Sequence, residues 1–333
     1  MQRSQGAKNT RFCFTTTPGA LILFWMSDHQ KPPPPEFLQA INSFQQATDS
    51  NNTEQMEAAA LAALEIGMAE AEKNPAPKIL LRHEAAECAA RGNWSATEAC
   101  YRKLLTLEEA DGNAGLIAKV HLDLSRLFFL RGDLDCAEAS AKAATCAARD
   151  ADNSPMLCVM LENQVLCALH RSDNARALAF AEEAVAITKT ERIFDNLRAG
   201  AWVARAQCRL AIGDVTGAES DLLSARPMII DKPISPLFAG LHGRVAKWWE
   251  VTAELRAHQG DHRSACEAWV EAVKTRRHIA SLPQVAGPHT LAALARTLSR
   301  SSKAYQVAAD PAAAESALDE ARCIYSQIRA VPL

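Results

Sequence analysis

The feature that most constrains this sequence is a short turn phrase that returns along the chain in register. A residue with little or no side chain (Gly92, Gly132, Ser172, Gly213, Gly260 and Ala309) is followed each time by Asn or Asp (Asn93, Asp133, Asp173, Asp214, Asp261 and Asp310). Successive copies stand 40, 40, 41, 47 and 49 residues apart. Five residues beyond each turn comes a small residue: Thr97, Ala137, Ala177, Ala218, Ala265 and Ala314. Four residues further on come Tyr101, Ala141, Ala181, Leu222, Trp269 and Leu318, and three beyond these Leu104, Ala144, Ala184, Ala225, Ala272 and Ala321. Shared offsets of this kind define a repeat, and a repeat has to be recognised before any other reading of the chain.

The physical unit is a helical hairpin. A glycine past the end of helix A supplies the left-handed backbone that stops it, and the following Asp or Asn accepts the free amide protons at the start of helix B. Small residues at fixed places on helix B let neighbouring helices approach closely. One hairpin cannot bury its apolar face alone, so consecutive hairpins must stack. Composition agrees: alanine is about a fifth of the 333 residues, aromatics are 6%, and β-branched and aromatic enrichment of the kind strands use is missing. A β-sandwich or barrel is excluded.

These residues resemble the tetratricopeptide repeat (TPR) family, whose helix-turn-helix units carry a Gly-Asp turn followed by small residues at these offsets. The resemblance covers about residues 77–329, and a degenerate pair, Glu36–Thr48 and Thr53–Lys73, extends it. It implies an all-α fold, a right-handed α-solenoid of about seven stacked antiparallel helical hairpins spanning 36–333. The repeat is longer than the family's usual one and is similar to the long-helix repeats of bacterial peptide sensors and of the sensor arms of transcription activators. Two wider spacings locate irregularities. Pro227, Pro233 and Pro236 predict a helix break and a possible change of curvature near 227–236, and Leu282-Pro283 to Gly287-Pro288 predicts a second break. Between them a long helix is expected from about Leu237 to Gln259. The final helix, opened by Asp310-Pro311, carries Glu315, Asp319, Arg322, Ser326 and Arg329 on one side, the polar face of a terminal repeat.

Residues 1–35 stand apart. They are expected to be a disordered or non-native N-terminal extension ending in the stiff Pro32–Pro35 linker. A targeting segment is the alternative, because Ala20–Met26 is apolar and follows Arg3, Lys8 and Arg11, although it is too short to span a bilayer. A net charge of -3 gives no electrostatic reason for a nucleic-acid partner, and no membrane partner is expected. Ten cysteines without a CxxC pair, most of them on apolar helix faces (Cys88, Cys136, Cys158, Cys167, Cys208), read as core residues in a reducing cytoplasm.

No phosphate-binding loop, dinucleotide fingerprint, nucleophile elbow or HExxH motif occurs, so no enzymatic activity and no cofactor are expected. His83 with Glu87 and Glu254 with His258 are each two residues of metal-ligating type four apart, which is half a site; surface ion pairing is the expectation and no metal is assigned. What the resemblance implies is a concave wall built from the A helices. The matching inward positions are Arg82 and His83; Lys119, Asp123 and Arg126; Glu162 and Asn163; Gln207; Lys247, Glu250, Glu254 and His258; and Arg296, Arg300 and Lys303.

Arg296, Arg300 and Lys303 make a basic stripe at i, i+4 and i+7, suited to an acidic peptide or carboxylate unless Glu250 and Glu254 pair with it. The family's two-lysine, two-asparagine clamp for a terminal carboxylate is not reproduced. Trp94 and the Trp248-Trp249 pair are candidate exposed anchors, while Trp202 and Trp249 fall at the bulky core position. The expected function is that of an adaptor or scaffold taking a peptide or protein segment in its groove. The alternative is a regulatory sensor whose array binds a small molecule or signalling peptide and acts through a partner such as a transcription regulator.

Overall fold

The computed structural model describes residues 34–49, 77–190, 193–230, 239–282 and 287–330, together with residues 55, 58, 59, 62 and 66. Among the described residues there are thirteen α-helices and no strand. Helix α1 (Pro35–Asp49) buries Phe37, Ala40 and Ile41 against Ala62 and Ile66. Six antiparallel hairpins follow. They are α2/α3 (Pro77–Ala90, Trp94–Ala110), α4/α5 (Ala114–Arg131, Leu134–Asp150), α6/α7 (Ser154–His170, Asn174–Thr190), α8/α9 (Asp195–Ala211, Val215–Ile229), α10/α11 (Ala239–His258, His262–Ser281) and α12/α13 (Pro288–Val307, Pro311–Ile328). The expected extension as far as residue 33, and residues 231–238 of the expected linker, lie outside the described residues.

All six turn positions hold a left-handed backbone, including Ser172 at φ 58° and Ala309 at φ 59°, where a side chain makes this conformation costly. At the α4–α5 turn Gly132 has φ 75° and Asp133 N–H reaches back to the carbonyl of Phe128 at 3.0 Å. The Asp133 carboxylate then accepts from the amide of Cys136 at 3.0 Å, capping α5. The first two turns between these hairpins obey the same rule: Gly112 and Asp152 are left-handed, and Asn113 and Asn153 cap the helices that follow. From Gly92 through Gly112, Gly132 and Asp152 to Ser172 the turns therefore fall every 20 residues, and the A and B helices between them are 17 or 18 residues long.

Every residue at the first and third small positions is buried, from Thr97 and Leu104 to Ala314 and Ala321. Cys88, Cys158, Cys167 and Cys208 are buried as well, and Cys136 is half-buried. One expectation is corrected: Pro227 does not break its helix. Helix α9 runs through it to Ile229. The carbonyl that loses its donor is that of Leu223, which is exposed, and Ile229 is buried two residues later, so packing outweighs one lost hydrogen bond.

The six hairpins bend until the last meets the first two. Helices α4 and α6, α6 and α8, and α8 and α10 touch directly, and α12 at the far end touches α4. The A helices therefore form the inner wall of the array, and the concave side they bound is its channel. Leu130 of α4 shares a core cluster with Leu294, Leu298 and Ile328, and the Trp94 indole donates to the carbonyl of Arg329 at 2.9 Å. Trp94 is thus corrected from a free anchor to a contact that seals first hairpin to last. Trp248 is corrected likewise: it is buried, donates to the Leu222 carbonyl at 3.0 Å and packs edge-on against Trp249 at 4.9 Å.

Candidate functional site on the inner wall

The wall is charged, and its ion pairs are of two kinds. Some stay within a helix or hairpin. Lys119 and Arg126 both flank Asp123, at 3.4 and 3.8 Å on α4, and Arg82 meets Glu108 of its own hairpin at 3.0 Å. Others cross between hairpins. Glu162 on α6 bonds Arg244 on α10 at 3.0 Å, passing over α8 at Gly200, where an added Cβ would push both side chains aside. Asn163 lies inside the wall, 8% exposed, and donates to Ser125 of α4 at 2.9 Å; it joins two hairpins. His83 and Gln207 are half-buried on their A helices.

The densest cluster is where α10, α11 and α12 meet. Glu250 is only 4% exposed. One of its oxygens accepts from Arg276 Nε at 2.9 Å and from the Thr297 hydroxyl at 2.7 Å. The other lies 3.7 Å from Lys247 Nζ and 3.8 Å from Arg300. Arg300 also pairs with Glu254 and lies over the Trp269 ring, 5.3 Å from its centroid. The stripe and the two glutamates therefore do pair, but incompletely. Among the described residues Arg296, one turn before Arg300, has no carboxylate partner, and Lys303 is exposed. The cluster holds four cations, Lys247, Arg276, Arg296 and Arg300, against two carboxylates, Glu250 and Glu254.

This imbalance shows in proton affinities. Burial pushes the Lys247 ammonium down to about 8; Glu250 pulls it back, while Arg300, Arg276 and Arg296 push it further. Burial also works against the charge on Glu250, yet Arg276, Lys247, Arg300 and the Thr297 hydroxyl hold it at about 2. His170, at the C-terminal end of α6 and 5.4 Å from the Phe129 ring, is pushed down to about 4 by burial and then by Arg296, Lys247 and Arg300. Sequence reasoning missed His170 and Arg276, because one ends an A helix and the other belongs to a B helix, and only the bend of the array brings them to this point.

The half-sites for metal are occupied otherwise: Glu87 pairs with Arg91 at 3.2 Å and Glu254 with Arg300. Among the described residues no group of three metal-ligating side chains comes together.

No family model matches the chain, and the search of curated proteins finds no relative. Solved structures do resemble it. RapI in its apo form is similar with a TM-score of 0.50 at 10% identity, over 76% of this chain and 98% of that one. BtubC (BKLC) from P. vanneervenii has a TM-score of 0.44 at 18% identity, over 75% and 92%. A Podosopora anserina putative kinesin light chain with nearly identical TPR-like repeats has 0.38 at 17%, over 63% and 95%. With its stacked hairpins, capped left-handed turns and inner wall of A helices, this chain has the fold of a TPR-like helical-repeat solenoid.

Proposed function

We propose that the protein is a non-enzymatic interaction module, an adaptor that takes a peptide or protein segment in the channel bounded by its A helices. The observation that carries this reading is the unbalanced charge of the inner wall. Elsewhere on the wall Arg82, Lys119, Asp123, Arg126 and Glu162 are paired; around Glu250 cations outnumber carboxylates on the concave side, which is how a recognition surface differs from a balanced helix face. The inferred partner is a protein or peptide. No helix among the described residues is long and apolar enough to cross a membrane, and the overall charge does not favour nucleic acid. The nine described cysteines are all free, which fits the cytoplasm.

The test is partner capture by the full chain, comparing wild type with Arg296→Glu and Lys303→Glu. Arg300 is left alone, since reversing it would strand Glu254 in the wall. Loss of the captured partner on reversal at Arg296 supports the channel; unchanged capture by both variants refutes it. A sensor is the second reading. It is favoured by the closure between first and last hairpin, because a channel ligand that parts the seam changes the outline of the molecule. Small-angle scattering that is identical with and without a bound peptide rules it out.

A further inference from the structure

The cluster around Glu250 has a more specific consequence. The geometry points to an oxyanion site in the channel, in which the Arg296 guanidinium and the Lys247 ammonium take a carboxylate or phosphate group of the ligand. This rests on the reading of the channel as the binding surface and specifies the chemistry it selects.

The argument is one of charge and position. Lys247 and Arg300 converge on the same oxygen of Glu250, and Arg276 and Thr297 occupy the other. That carboxylate is saturated. Glu254 is taken by Arg300. Arg296 follows the helix one turn back, with its planar fork of donors unmatched by any carboxylate among the described residues. A half-buried guanidinium in a field of three further cations is costly to hold unless an anion offsets it. Arginine's fork suits two oxygens at once, and Lys247 adds a point charge beside it. His170, uncharged among the same cations, adds a neutral hydrogen-bonding edge without adding to the repulsion.

The Glu108 cluster shows that the excess is particular to this place. There Lys78 and Arg82 face Glu108 and Asp111, two cations against two carboxylates.

The experiment uses the full chain and two probes, inorganic phosphate and acetate, titrated by calorimetry against sodium chloride of matched ionic strength. A response to phosphate alone identifies a dianionic group, such as a phosphorylated residue; a comparable response to acetate identifies an acidic side chain or chain terminus. Either supports the site. Arg296→Gln strands no partner, so it keeps its helical circular dichroism, and it is expected to weaken the response about tenfold or more, the loss of one hydrogen bond to a charged group. Arg296→Lys recovers only part of it. Arg263→Gln, on an exposed side chain of α11, leaves it unchanged. No response beyond chloride in the wild type, or an equal response in Arg296→Gln, overturns the oxyanion site. If phosphate binds and is lost in Arg296→Gln while partner capture is unaffected, the oxyanion site stands and the adaptor reading of the channel falls. If neither probe binds but capture is lost with Arg296→Glu, the adaptor reading stands alone.

Discussion

Glu108 and Glu250 are built alike and balanced differently. Both are carboxylates removed from solvent, 0% and 4% exposed, and both hold basic side chains from neighbouring helices. Glu108 serves one hairpin: Lys78 at 2.7 Å and Arg82 at 3.0 Å come from α2 to the α3 carboxylate, and Asp111 completes a neutral set. Glu250 joins three helices and remains outnumbered. The first is a closed staple. The second is a staple with positive charge left over, and the contrast separates what holds the array together from what it presents to a ligand.

The largest expected effect comes from breaking each staple. Glu250→Gln leaves four cations facing Glu254 alone, and Glu108→Gln leaves Lys78 and Arg82 with Asp111. Removing one partner of a buried pair costs about 3–5 kcal/mol, and Glu250→Gln is expected at the upper end. Urea unfolding measures both. Phosphate separates them: it should restore stability to Glu250→Gln and not to Glu108→Gln.

The next effect is on pH dependence, and the two lysines should act with opposite sign. Burial opposes the charge on Lys78, but hydrogen bonds to Asp111 and Glu108 and the charges of both hold it above its usual 10.5. Its contribution is therefore fully present below 10.5 and is lost as pH rises through the higher folded value. Lys247 is depressed to about 8, so in the window from about 8 to 10.5 the unfolded chain binds a proton that the folded chain does not, and its contribution rises with pH. Lys247→Met should flatten that rise in a pH series of unfolding midpoints, and Lys78→Met should not. A rise that persists in Lys247→Met would remove the basis for treating the two clusters as different.

On the acid side, His170 at about 4 and Glu250 at about 2 both have depressed folded values. His170 therefore loses its contribution as pH falls from about 6.5 to 4, and Glu250 from about 4.5 to 2. His170→Gln should shift the onset of acid unfolding to lower pH.

The smallest effect is at the seam. Trp94→Phe keeps the ring and removes the donor to the Arg329 carbonyl, worth about 1 kcal/mol. Scattering should show a slightly more open particle.

The fold was legible because its rules are local. A left-handed turn residue and a cap three residues before the donating amide can be read from neighbours in sequence, and all six turns followed. The same chemistry at Gly112 and Asp152 lies outside the repeat phrase, because that phrase recurs at the period of a hairpin and these turns stand half a period away. Pro227 misled because its place in the last turn of α9 sets a local cost against the burial of Ile229, which sequence does not display. The wall was legible only in part. Helix phase places Arg296, Arg300, Glu250 and Glu254 on one surface, and pairing across it was anticipated. Asn163 sits on an inward phase yet bonds Ser125 of α4, and Trp94 bonds a carbonyl 235 residues away. Both depend on how sharply the array bends, which no single repeat encodes.

That bend alters how stability is shared. In an open stack each repeat has two neighbours except those at the ends, which have one and are the first to fray. Here the contact between α12 and α4, with Trp94 and Arg329 at its edge, gives the last hairpin a second neighbour. The stack acquires a periodic boundary: loosening at the last repeat is felt at the first, and inserting or deleting one hairpin would misalign both ends at once.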